Sequence, residues 1–162
     1  MLPAALKRLL VRAPAISADD RRQHLDQVQG VITRMASASS TAKAWLLPVA
    51  TAAYGYALVE HDEAVALLGV AAVVLFALLD AGYLRQERAF RALYQAAVQG
   101  KVKPYDMNSS RFYSRPNGDA EDQRAVNCEW NQIIWSWSLA GFYVPVALLG
   151  ALLMVGIVFT SA

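Results

Sequence analysis

The stretch Ile133 to Phe159, IIWSWSLAGFYVPVALLGALLMVGIVF, decides the fold. Its 27 residues carry no charge, and a helix that crosses a bilayer needs about 17–25 predominantly apolar residues. Pro145 interrupts it, but a lone proline in such a span kinks the helix rather than ending it, because neighbours satisfy the freed carbonyl. Two shorter uncharged blocks lie upstream, Ala44 to Val59 (AWLLPVATAAYGYALV) and Ala64 to Leu79 (AVALLGVAAVVLFALL), each of 16 residues. At that length a buried helix of a soluble domain is the competing reading for either block. The polar tetrapeptide Glu60-His61-Asp62-Glu63 joins them, which suits two antiparallel spans. Trp45 and Tyr56 flank the first block, as interfacial aromatics do.

Composition agrees with this reading. Hydrophobic residues make up 56% of the 162-residue chain and charged residues 17%, against about 45–50% and 25% in soluble domains. The net charge of +2 is too small for a bulk nucleic-acid binder. A single cysteine, Cys128, excludes an intramolecular disulfide. The start, Met1 to Pro14, is broken by Lys7, Arg8 and Arg12 and makes a poor signal peptide; a short amphipathic helix or a disordered leader fits it better.

The basic residues set an orientation. Residues 1–43 hold seven Lys and Arg, the 60–63 hairpin none, and residues 80–132 eight. The positive-inside rule then places the N-terminus in the cytoplasm, the hairpin outside and the C-terminus in the periplasm of a bacterial inner membrane. The expected fold is an all-α membrane protein with three transmembrane helices and helical cytoplasmic extensions. Its parts are an amphipathic helical region at 1–43, a transmembrane hairpin at 44–99, a loop with a short helix at 100–132, and the third span at 133–162.

Local signals fix several ends. Ser17 is a candidate N-cap, with Asp19 and Asp20 in the first turn. Leu25, Val28, Ile32 and Met35 form a narrow apolar stripe. Ser37 to Thr41 is either a bend or the approach to the membrane. The second span continues past Asp80 as one helix to a stop at Gly100. Residues 100–121 are loop-like, and helix is expected to resume near Ala120. Gly55, Gly69, Gly141, Gly150 and Gly156 would permit close helix packing. Trp130, Trp135 and Trp137 fall where the third span enters the membrane.

No catalytic set stands out, and neither a metal site nor a cofactor is expected. His24 and His61 fall on opposite sides of the predicted membrane, Cys128 has no motif partner, and no glycine-rich phosphate loop occurs. Two features invite a functional reading. Asp80 ends a membrane helix, where acids tend to be paired or functional; alternatively it marks the interface, solvated or paired with Lys43. Arg85, Arg88 and Arg91 recur at three-residue spacing, with Glu87 as an i,i+4 partner of Arg91. With Lys101, Lys103 and Arg111, and with Tyr94, Tyr105, Phe112 and Tyr113 interleaved, they could cradle phosphates and stack bases. The competing reading is a juxtamembrane helix whose arginines meet anionic lipid headgroups.

The segments Gln29 to Met35 (QGVITRM), Ser40, Lys43-Ala44-Trp45, Leu79 to Tyr94 (LDAGYLRQERAFRALY), Asp106-Met107-Asn108 and Phe142 to Pro145 (FYVP) together resemble a family of small bacterial membrane proteins. These are the transmembrane effectors of anti-phage systems that pair a membrane protein with a nucleotidyltransferase, of the Hailong-effector type. The resemblance implies an oligomeric channel whose state is set by a signalling nucleotide or short DNA oligomer, and it points to Arg34, Asp80, Arg85, Glu87, Arg88, Arg91 and Tyr94. Ala38 to Ala42 (ASSTA) departs from the family's asparagine-serine-aromatic step. The expected function is therefore that of a homo-oligomeric effector in the lipid bilayer that forms or gates an ion-conducting pore in anti-phage defence. Its rivals are a membrane anchor or adaptor for a soluble partner, and a proton-coupled transporter working through Asp80.

Overall fold

The computed structural model describes residues 17–113 and 128–161. Among them every regular element is helical: α1 (Ala18–Glu60), α2 (Glu63–Val98), a 3₁₀ turn (Ser110–Phe112), α3 (Trp130–Ile134) and α4 (Trp137–Ser161). The leader at Met1 to Pro14 and the helix expected near Ala120 lie outside the described residues.

Helix α1 starts where its cap chemistry says it should. The Ser17 hydroxyl accepts from the Asp20 backbone N–H, and the Asp20 carboxylate accepts from the Ser17 N–H, a closed capping box. Tyr105, far along the chain, donates its hydroxyl to Asp20 as well. Bonds from Ser17 and then Tyr105 hold the Asp20 carboxyl below its ordinary 3.8. A depressed carboxyl stabilises the fold above its unfolded value and loses that contribution as pH falls through the folded one. Ser17→Ala should cost about 1 kcal/mol at this end. Protection factors of the first α1 turn, measured against the intrinsic exchange rate at each pH, should fall both in this variant and in the wild type as pH falls past 3.8.

The segment Ser37 to Thr41 neither bends nor breaks; α1 runs through it for 43 residues. Hydroxyls of Thr33, Ser40 and Thr41 donate to carbonyls four residues earlier, so these polar side chains are satisfied within the helix itself. The buried stripe is His24, Val28 and Ile32, then Ala42, Leu46, Ala50, Tyr54 and Ala57. His24 rather than Leu25 is fully buried. Its Nε2 lies 3.2 Å from the Asp106 carbonyl oxygen, and since a carbonyl only accepts, Nε2 carries the proton.

His61 closes α1 in the left-handed region at φ 54, and the Asp62 side chain accepts from the Ala64 and Val65 N–H groups to open α2. The chain thus reverses in two residues. Helix α2 runs unbroken for 36 residues, about 54 Å. It stops at Gly100, which takes φ 73. Lys101 N–H reaches Ala96 O at 2.9 Å and Gly100 N–H reaches Ala97 O at 3.0 Å, the paired bonds of a Schellman stop.

The third apolar stretch is not one helix. It breaks at Trp135-Ser136, and the Ser136 carbonyl accepts the first bonds of α4, from Leu139 and Ala140. The boundary expected at 133 therefore falls inside α3, and the long helix starts at Trp137. Serine competes for backbone bonds and favours helix starts, which fits a restart here.

Helix α4 packs chiefly on α2 and touches α1 lightly. Its start lies near Lys43 and its end near Ala57 and Ala66, so it runs parallel to α1 and antiparallel to α2. Leu46, Ala50, Tyr54, Val73, Leu139 and Tyr143 fill the middle of this three-helix block. A separate core joins the far halves of the hairpin, where Val28, Ile32 and Leu93 pack with Phe90, Tyr94, Val102, Met107 and Phe112.

Helix α2 and residues Trp137–Phe159 of α4 are long and apolar enough to cross a membrane, and only 28% and 17% of their most apolar windows are buried. The core helix of a soluble domain would be mostly covered. The Ala44–Val59 segment of α1 does not join them: Pro48, Thr51, Tyr54 and Tyr56 lower its hydropathy. By length and hydropathy two of the described helices could cross a membrane, and a third span is not shown.

Candidate functional site at the base of the apolar block

Where α1, α2 and α4 meet at the end away from the hairpin, charge is buried. Asp80 has no exposed surface. The Lys43 ammonium stands 2.6 Å from its Oδ2, with 21% of the lysine side chain exposed. Lys43 also donates to Ser39 Oγ at 3.1 Å, one turn back on α1, and reaches Ser138 Oγ at 3.5 Å on α4. One ammonium thus ties three helices together. The pair expected at the interface exists, but it is inside the protein rather than in solvent.

The pair is under-satisfied. Both Asp80 oxygens are sealed from solvent and neither completes a hydrogen bond of normal geometry; the same holds for Tyr143 Oη, Ser136 Oγ and Gln132 Oε1. The Tyr143 phenol interacts with the Asp80 carboxylate across the helix interface. Taking a carboxylate out of water costs several kcal/mol after relaxation, and only a well-placed counter-charge offsets it.

The expected arginine row divides. Arg85 donates Nε to the Cys128 carbonyl at 3.0 Å, and its guanidinium lies 4.6 Å from the Tyr113 ring centre and 4.8 Å from that of Trp130. Stacked between two rings, it ties Tyr113, Cys128 and Trp130 to α2. Arg91 is held by Glu87, at 2.8 Å from Nε and 2.7 Å from Nη2. Arg88 is half-buried and close enough to Cys128 for its charge to act on the thiol. Tyr94 packs into the basal core, while Lys101 and Lys103 are exposed. Arg34 lines a groove of about 840 Å³ between α1 and α2, together with Tyr83, and not with Arg85 or Arg91. Arg111 belongs to the 3₁₀ turn. These residues do not converge on one pocket. Among the described residues no cluster of three His, Cys, Asp or Glu could hold a metal.

No protein-family model, curated protein or solved structure matches this chain. The site stands on its own geometry. Sequence reasoning gave Tyr143, Ser136 and Gln132 no role at this site, and named Tyr113 as a stacking aromatic and Trp130 as an interfacial one without linking either to Arg85. A tyrosine within an apolar span was a signal for the first; the partners of Arg85 come from chain segments that no local pattern links to it.

Cys128 gives a readout of this joint. Its thiol is 2% exposed, and burial pushes it above its ordinary 9.0, against the opposing charges of Arg85 and Arg88. Thiolate is the reactive form, so maleimide labelling at pH 8 should be slow and rise only above pH 9. Arg85→Ala should free Cys128 and Trp130 from α2 and accelerate labelling at pH 8 several-fold. An unchanged rate would show that the stack is dispensable.

Proposed function

We propose that this protein is an integral membrane effector that self-associates into an ion-conducting pore gated from its cytoplasmic side. The observation that carries this reading is the continuity of α2. One helix passes from the arginine row, through the buried Asp80–Lys43 pair, into the exposed apolar block. A ligand that tilts or turns the far half of α2 must move Asp80 relative to Lys43, and a buried pair responds to that motion with kcal/mol-scale changes.

In this reading all three helices of the block cross the membrane, α1 crossing as the partner of α2. From Ala44 to Val59 it runs beside α2 and α4, and Trp45, Leu47, Leu58 and Val59 stay exposed. The basic segments then face the cytoplasm. Leu46, Tyr54, Val73, Leu139 and Tyr143 fill the interior of one chain, so ions pass between copies. The resemblance to transmembrane effectors of nucleotidyltransferase-linked anti-phage systems supplies the ligand class, a signalling nucleotide or short DNA oligomer. Lys101, Lys103, Arg88 and Arg91 are the cations for it, and the outcome is depolarisation of an infected bacterial cell.

A membrane anchor or adaptor is the second reading, favoured by one observation: Arg85 and Arg91 already have intramolecular partners. Two measurements on the purified chain separate the readings. Light scattering with detergent subtracted should give a particle several times 17.7 kDa, and planar-bilayer recording should show conductance that Asp80→Asn alters. A strictly monomeric, non-conducting particle that docks a soluble protein would replace the pore with the adaptor.

A further inference from the structure

The groove between α1 and α2 changes chemistry along its length. Toward the hairpin it is lined by Trp45, Val49, Phe76 and Leu79; toward the base it is lined by Ser37 and Arg34. Arg34 is the only charged residue on its walls, and no acid lines it. Among the described residues Arg34 has no ion-pair partner, and it is exposed. An apolar trough ending in one uncompensated guanidinium fits a molecule with a hydrocarbon tail and an anionic head.

Dimensions favour a lipid. The middle of the Ala44–Val59 block is near Thr51. One leaflet, headgroup included, is about 20–22 Å deep, or roughly 14 residues of helix. Measured from Thr51 toward the base, that depth ends near Ser37 and Ala38. Arg34 is one turn further, and an arginine stem is long enough to bring its guanidinium up to that level. Val49 would then meet the tail near the bilayer centre, and Trp45 would flank the upper part of the tail.

We infer that this groove binds one anionic phospholipid of the cytoplasmic leaflet, its phosphate on Arg34 and an acyl chain along Val49, Phe76 and Leu79. The inference rests on the membrane placement proposed above. The lipid leans on both helices of the hairpin beside the level of Asp80. It therefore couples the charge of the leaflet to the α1–α2 spacing that the Lys43–Asp80 pair depends on. A guanidinium binds the phosphate of either lipid by charge-assisted bonds, but phosphatidylcholine brings a choline cation that Arg34 repels and no acid on the walls receives, so the site should prefer phosphatidylglycerol.

The test uses the full chain reconstituted in nanodiscs of equal phosphatidylglycerol and phosphatidylcholine, then released into mild detergent for native mass spectrometry. One phosphatidylglycerol should be retained per chain, roughly tenfold over phosphatidylcholine, as about 1.4 kcal/mol of repulsion between choline and Arg34 predicts. Arg34→Gln should abolish the preference and Arg34→Lys should keep part of it, with helicity by circular dichroism unchanged in both. Arg22→Gln, near the start of α1 and off the groove walls, should behave as wild type. Equal retention of both lipids, or identical retention by wild type and Arg34→Gln, overturns the site. So does displacement by millimolar glycerophosphoglycerol, which would make the groove a soluble phosphate site. Lipid absence together with a smaller particle in Arg34→Gln would assign the groove to a second copy instead. Alkaline carbonate treatment keeps the two levels apart. A chain released from membranes without detergent fails the membrane reading itself, whereas a chain that stays inserted but shows no lipid preference fails only the groove.

Discussion

Lys43→Met should lower the unfolding free energy by about 3–5 kcal/mol, because it leaves a sealed carboxylate without its counter-charge. Asp80 has no exposed surface and no completed hydrogen bond to fall back on. Asp80→Asn should cost less, about 1–2 kcal/mol. The lysine left behind still has Ser39 and Ser138 within reach and keeps 21% of its side chain exposed, so it can turn toward water. Lys43→Met combined with Asp80→Val should recover most of the loss, since apolar packing often replaces a buried ion pair at no net cost. The double variant should also be insensitive to ligand, if the pair is what gating reads. Thermal unfolding of wild type, Lys43→Met, Asp80→Val and their combination in one detergent gives the cycle. Additive losses would mean that the two side chains do not act as a pair.

Gly150→Ala should destabilise the block by about 1–3 kcal/mol, and Gly69→Ala by a similar amount. A methyl on Gly150 would stand 2.5 Å from Tyr54 Cζ and 2.8 Å from Cε1, and one on Gly69 would stand 2.5 Å from Cε1 and 2.9 Å from Cδ1. Tyr54 on α1 therefore lies in a slot made by one glycine on α2 and one on α4. Its hydroxyl reaches the Val146 carbonyl at 3.4 Å, just after Pro145. Both methyls obstruct the same ring, so Gly69→Ala with Gly150→Ala should cost less than the sum of the two. In a Tyr54→Ala background, itself costly through the cavity it leaves, Gly150→Ala should be nearly neutral. Unfolding midpoints of these variants decide it. Full additivity with an intact Tyr54 would mean the glycines act separately. A methyl on Gly55 or Gly156 would meet nothing within 4 Å, so alanine there should be silent within one chain; a loss of oligomer at either would mark a contact between copies.

Local chemistry by itself determined the helical class and most helix ends. Ser17 with Asp20, the His61-Asp62 reversal and Gly100 are stops and starts whose bonds close within a few residues, so a reader of sequence can see both partners at once. The apolar runs were legible for the same reason, since a bilayer acts on each residue through its own side chain. The candidate site was only partly legible. Lys43 and Asp80 could be named, but the complete burial of Asp80 depends on α4 closing over it, and α4 is far away in the chain. The passage of α1 through Ser37 to Thr41 was open, because serine and threonine can bond forward into a turn or back into a helix. Packing of the basal core, Val28 and Ile32 against Leu93, accompanies the helical choice. The break at Trp135-Ser136, the Arg85 stack on Tyr113 and Trp130, and the slot that Gly69 and Gly150 form for Tyr54 were decided by tertiary structure alone. Each is a contact between segments whose separation in sequence carries no information about their separation in space. Its energy appears only when the helices have already found their places.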